Sequence, residues 1–160
     1  MNDGMTPHRV TPDYPQWPAV LRLILDAFAF MEACIDPPSS AHHLTVAVMA
    51  AQAATGAVWV IEDSATPVAR LFAKPMGGAL YLTKLAVATS HRGQGLARRL
   101  IATAQAEARA RNLARLELQT RIELTENHTA FARLGFTKTA ESAHPGYGRP
   151  TSITMSRAIR

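Results

Sequence analysis

This chain of 160 residues is short of the groups on which several common chemistries depend. Its one cysteine, Cys34, rules out an intrachain disulfide and a cysteine-based zinc cluster. A lone thiol points to a reducing compartment, so the expected location is the cytoplasm. No apolar run is long enough to span a bilayer; the best early stretch, residues 20–30, is broken by Arg22 and Asp26. Residues 1–16 contain no apolar segment of the kind a signal peptide needs, and no membrane partner is expected. Aromatics make up only 6% and do not interleave with basic residues as stacking platforms for nucleic acid do. There is no HExxH and no carboxylate cluster. His42 and His43 are adjacent, so on a helix they do not face one another, and no metal site is expected.

What is present fits one globular domain over residues 1–160. The hydrophobic fraction is 48%, the mean hydropathy is −0.02, and the chain is long enough to bury a core. The formal charge of +5 comes mainly from arginine, since the only lysines are Lys74, Lys84 and Lys138. Such a surface suits an anionic ligand or nucleic acid, or is simply basic. Arg98, Arg99, Arg109, Arg111 and Arg115 are the nucleic-acid candidates, but no motif supports them and no nucleic-acid partner is expected.

Patterning orders the chain. Residues 1–4 look frayed, and 8–10 can form a short strand. Asp13 is placed to cap a helix that runs from about 15–18 to 30–32 with Val20, Leu21, Ile24, Leu25 and Phe28 on its apolar face. After the proline-containing loop 34–40, Ser39 or Ser40 can cap a second helix over 41–53, ended by Gly56. Residues 57–62, 68–73 and 79–87 read as an antiparallel meander, the last strand apolar enough to be buried on both faces. On that strand Tyr81, Thr83 and Leu85 should share one face and Leu82, Lys84 and Ala86 the other. A helix over 94–112 and a strand over 115–120 complete a right-handed parallel crossover. Thr125 can cap a short helix over 126–134, and strands follow at 136–140 and 151–155. The expectation is an α/β fold with a mixed, mostly antiparallel sheet of about seven strands and four helices.

Between the buried strand and the third helix stands Arg92-Gly93-Gln94-Gly95. Two glycines let the backbone turn sharply and leave N–H groups uncovered, so an anion can approach the helix N-terminus. This is a phosphate cradle. With Leu96 and Ala97 after it, Leu85-Ala86-Val87 before it, and Phe131-Ala-Arg-Leu-Gly135-Phe136 further on, the chain resembles the GNAT acetyltransferase superfamily, as does its order of elements.

That resemblance implies acetyl-CoA as cofactor, CoA as product, and transfer to an amine of a small molecule or peptide. It places the pyrophosphate on the N–H groups from Arg92 through Ala97, with Arg98 and Arg99 adding charge. It implies a bulge near Val87, a splay from the strand after the third helix, pantetheine in the gap, and the Val87 N–H as donor to the thioester oxygen. It sets Asn127 beside the pantetheine and puts Phe131 where many members carry a tyrosine that protonates the thiolate. Family members often form homodimers, which makes a dimer an expectation here. A non-catalytic acyl-CoA-binding or sensing domain is the alternative, because Phe131 has no proton to give and no base stands out.

For the remaining catalytic groups two readings stay open. Tyr81 either relays a proton through water or only packs; Tyr147 either borders the acceptor site or packs a turn. Glu32 and Asp36 flank a loop that often shapes the acceptor pocket, which hints at a cationic acceptor, or they are solvated acids. Cys34 has no base in sequence to pair with, and an inert thiol is expected.

Overall fold

The computed structural model describes residues 5–159 apart from the side chains of Glu32 and His42. The fraying expected over residues 1–4, and any role of those two side chains, fall outside the described residues. Its frame is a sheet in the order β1-β2-β3-β4-β5-β7-β6. Strands β1 (His8–Val10), β2 (Ala57–Asp63), β3 (Thr66–Met76) and β4 (Ala79–Val87) run antiparallel in turn. β5 (Arg115–Arg121) lies parallel to β4, joined through α3 (Leu96–Ala110), and β7 (Ser152–Ala158) then pairs antiparallel with both β5 and β6 (Thr137–Ser142). The architecture is the expected one.

Helical periodicity decides the layers. Leu96, Leu100, Ile101, Ala104 and Ala108 of α3 are buried on one face of the sheet with Trp59, Leu71, Leu80, Leu82 and Leu116. On the other face, Val20 and Ile24 of α1 (Trp17–Phe28) and Met49 and Ala53 of α2 (Val46–Thr55) pack on Val58, Val60 and Phe72. Each large side chain so buried contributes about 1.5–3 kcal/mol, far more than any helix cap or local propensity. The caps are accordingly where the sequence reading needs correction. Asp13 is tied to the Thr11 hydroxyl and caps nothing; α1 begins after Gln16 with no side-chain cap. Ser39 does accept from the Ala41 N–H at 3.1 Å, but it closes only the single turn Ser40–His43. Leu44 is extended, and Thr45 caps α2 by accepting from the Val48 N–H at 3.1 Å. Thr125 lies inside the first turn of α4 (Thr125–Arg133) rather than capping it. Gly56 ends α2 in an extended conformation, and its smallness is needed for room: a Cβ there would stand 2.6 Å from the Ala73 carbonyl oxygen.

One irregularity shapes the rest. The β3–β4 register passes from Phe72↔Thr83 to Arg70↔Ala86, so Lys84 and Leu85 together oppose Leu71. Lys84 takes φ +55, a left-handed backbone that a lysine does not ordinarily adopt. The bulge overturns the simple alternation expected for β4. Leu85 packs with Leu82 in the α3 core, whereas Ala86 joins the α1–α2 core. It also ends the pairing with β5, which runs only from Ala79↔Arg115 to Leu82↔Leu118. Beyond that point the two strands part.

Candidate active site

The gap between β4 and β5 opens into a cleft of 270 Å³ that passes through the sheet. Ile101 of α3 with Asn127 and Phe131 of α4 line one mouth; Phe28, Met31, Ser39 and Ser40 line the other. Leu82, Leu85 and Leu118 form its walls. A second cavity of 560 Å³ adjoins it on the α2 side and shares Ser40, Tyr81, Thr83, Lys84 and Gln119.

At the α3 mouth the backbone is arranged for an anion. Gly93 and Gly95 both take φ +79, and a Cβ at either would meet nothing within 4 Å, so the loop is open on its outer side. No side chain caps α3, which leaves the N–H groups of its first turn, from Leu96 through Arg98, directed at that opening. Arg92 and Arg98 are exposed beside it, and Gln94 sits between the glycines. Arg99 does not join them: its Nη1 donates to the Met5 carbonyl at 2.6 Å. Two residues that the sequence did not single out hold the loop. His91 Nε2 lies 2.7 Å from Asp63 Oδ2 and its Nδ1 lies 2.7 Å from Ser90 Oγ, tying the turn before the cradle to the β2–β3 hairpin.

Along β4, the Ala88 N–H donates to the Val68 carbonyl at 2.7 Å. Strand alternation therefore turns the Val87 N–H to the opposite edge, where β5 no longer pairs. Phe131 meets Phe136 edge to face with ring centroids 5.9 Å apart, and so presents an apolar wall to the cleft.

Tyr81 lines both cavities; burial, and then the charge of Glu117, push its phenol up, so it stays protonated at neutral pH. Tyr147 does not reach the cleft. Its hydroxyl donates to Asp36 Oδ1 at 2.7 Å, and this hydrogen bond pushes its phenol up. Asp36 also lies 3.5 Å from Arg149, so it faces the rim instead of an acceptor. Cys34 is exposed, with its thiol 3.7 Å from the Phe30 carbonyl.

Long-range pairing brings in three further residues. Lys84 Nζ donates to Ser40 Oγ at 2.6 Å, Arg121 donates to the carbonyls of Pro37 and Pro38 at 2.8 and 2.9 Å, and His144 lines the same cleft. Burial, then Arg121, push the His144 imidazole down, which keeps it neutral near pH 7. The one sequence signal for Lys84 was its position as the only charge in residues 79–87.

Burial, then Arg70 and Arg121, push the Lys84 amine down. A lysine whose folded pKa lies below its unfolded value carries its charge at a cost to the fold, and that cost disappears as pH rises through the folded pKa toward 10.5. Lys84→Met is therefore expected to raise Tm at pH 7, with a gain that shrinks as pH approaches 10.5. Thermal unfolding across that range checks the sign, and a lower Tm at pH 7 would refute it.

The comparisons with known proteins agree with this geometry. Residues 17–136 match the family model for the acetyltransferase (GNAT) family. The chain belongs to that family. It is an N-acetyltransferase that takes its acetyl group from acetyl-CoA. Among solved structures, the paia N-acetyltransferase from Thermoplasma acidophilum in complex with coenzyme A superposes with a TM-score of 0.78 at 8% identity, covering 96% of this chain and 98% of that one. An acetyltransferase of the GNAT family from Staphylococcus aureus gives 0.74 at 11% identity, covering 97% and 100%. The ribosomal-protein-S18-alanine N-acetyltransferase from Escherichia coli gives 0.66 at 19% identity, covering 96% and 94%. These structures are similar in fold. Among the described residues no helix is long and apolar enough to cross a membrane.

Proposed function

We propose that residues 1–160 act as one catalytic domain, in the cytoplasm, that moves an acetyl group to a primary amine of a small molecule or peptide by direct attack. The observation that carries this reading is the parting of β4 from β5 directly beside an open, uncapped helix N-terminus. The residues fit the group they would hold. Gly93, Gln94 and Gly95 leave room for a pyrophosphate, and the N–H groups of Leu96, Ala97 and Arg98 offer it donors and a favourable dipole. Arg92 and Arg98 add positive charge at the same mouth. Leu85, Ala86 and Val87 supply a strand edge for the amide arm, with Asn127 and Phe131 as the facing wall.

When bound, acetyl-CoA would supply a thioester for the acceptor nitrogen to attack: the nitrogen–carbon bond forms, the carbon–sulfur bond breaks with its electron pair leaving on the CoA thiolate, and the nitrogen's proton goes to solvent. Val87 directs its N–H at the oxygen that gains charge. One such donor in a water-poor site stabilises the transition state by about 3 kcal/mol. Tyr81, kept protonated, is a cleft-lining hydroxyl that exchanges protons with the acceptor through water, and Tyr147 secures the acceptor loop through Asp36. Phe131 excludes water without donating a proton, so catalysis rests on positioning and polarisation.

Calorimetry with acetyl-CoA, followed by a free-thiol assay over a panel of amines, tests the reading. Micromolar binding and amine-dependent thiol release are expected. Binding without release over the whole panel would instead make the chain an acyl-CoA sensor.

A further inference from the structure

The acceptor side of the cleft carries unneutralised positive charge. Among the described residues Lys84, lifted by the bulge, has only the Ser40 hydroxyl as a partner. Among the described residues the Arg121 guanidinium has only the carbonyls of Pro37 and Pro38. Arg70 lies fully buried behind the bulge, with the Lys84 carbonyl and Gln52 Oε1 each at 3.4 Å and its Nε without any partner. Its guanidinium is pushed down to about 10 by burial and is still charged at neutral pH. Among the described residues neither cavity has a carboxylate in its lining. The nearby acids each lie beside an arginine, Glu117 by Arg115 at 3.3 Å and Asp36 and Glu123 by Arg149 at 3.5 and 3.9 Å, with one buried oxygen of Glu123 left without a partner. The second cavity adds Lys74 and His43 to its wall.

Buried or half-buried cations facing neutral partners, as Arg70 and then Lys84 and Arg121 do, cost stability unless a ligand of opposite sign completes the site. Among the described lining residues a cationic acceptor would find no carboxylate partner, and Asp36 is turned to Arg149 at the rim. We propose that the acceptor is an amine that also bears an anionic group, a carboxylate or a phosphate, held by Lys84 and Arg121 through charge-assisted hydrogen bonds. The anion is then anchored on the α1–α2 side, and the amine extends through the gap toward Val87. The surrounding charge also lowers the pKa of that amine, which enlarges its neutral, nucleophilic fraction and explains how the site works without a carboxylate base among its described lining residues. This inference rests on the N-acetyltransferase reading above and names the substrate class for it.

Matched acceptors test it: an α-amino acid against its amide, and an aminoalkyl phosphate against the corresponding amino alcohol, in the free-thiol assay. The anionic member of a pair is expected to have the higher kcat/KM by about tenfold or more, and whichever pair shows the larger ratio identifies the anion. Lys84→Gln is expected to abolish the preference by raising acceptor KM, Lys84→Arg to retain most of it, and both to leave acetyl-CoA binding by calorimetry unchanged. A second readout needs no turnover. With CoA present, the N-acetylated amino acid should bind the protein more tightly than its amide, and Lys84→Gln should remove that difference. Equal handling of charged and neutral partners in both measurements, with acetyl-CoA binding intact, overturns the anion site alone. Loss of acetyl-CoA binding in the unaltered protein would instead overturn the reading beneath it.

Discussion

Gly95→Val is expected to lower acetyl-CoA affinity by about 100-fold or more by blocking the cradle, while its backbone penalty of ~1–2 kcal/mol falls on stability. Gly95 is the residue before α3 and takes φ +79, where a β-branched side chain is strained. A Cβ at this position meets no protein atom within 4 Å, and the space it enters is the opening proposed for the pyrophosphate. The strain and the blockage are separable. Gly77, in the β3–β4 turn, takes φ +58 and also has nothing within 4 Å of a Cβ. Gly77→Val should therefore lose comparable stability while binding acetyl-CoA normally. Calorimetry on both variants, with Tm for each, decides the matter. Equal loss of binding in the two would mean that Gly95 matters only to folding.

Val87→Pro should reduce kcat by about 10²–10³ and change acetyl-CoA affinity little, as removal of one preorganised oxyanion donor does. Proline removes the N–H, and with it a side chain that packs against the α3 core. The neighbouring Ala88 N–H makes the bond to Val68, so β3 keeps its partner. Val87 is also the last residue of β4 and lies past the end of the β5 pairing, so no ladder bond across the gap is lost. Val87→Ala retains the donor and should stay near the parent rate. Circular dichroism and acetyl-CoA calorimetry separate a lost donor from a lost fold. A Val87→Pro variant that is folded, binds acetyl-CoA and turns over at the parent rate would exclude this N–H from the mechanism.

The two expectations probe opposite ends of one line of backbone. In the proposed mechanism the cradle binds through N–H groups freed by a helix start, and Val87 acts through an N–H freed by a strand that has lost its neighbour. Neither function needs a reactive side chain, which is why Phe131 can occupy the place of an acid. The bulge at Lys84 joins the two ends of the cleft. It breaks the β4–β5 ladder, and it swings a lysine toward Ser40 on the acceptor side.

The cradle was legible in the sequence because it is contiguous: Arg92 to Ala97 follow a buried strand and open a helix whose apolar spacing is unmistakable. Strand and helix order was legible for the same reason, since hydrophobic periodicity is a local signal that core burial then enforces. The caps at Asp13 and Thr125 were misread because a cap contributes about 1 kcal/mol, and neighbouring geometry overrides it readily. The alternation along β4 failed at Lys84, a residue type that carries no preference for a left-handed backbone. That conformation is imposed by the register of β3 against β4, which no local pattern encodes. The acceptor side depended on tertiary structure most of all. Ser40, Lys84, Arg121 and His144 stand far apart in the chain and meet only where one strand leaves another. The sequence by itself determined the strand, Gly-rich turn and helix proposed to hold the acyl donor; the tertiary structure decided the charge around the cleft proposed for the acceptor, because that charge is summed over segments that only the fold brings together.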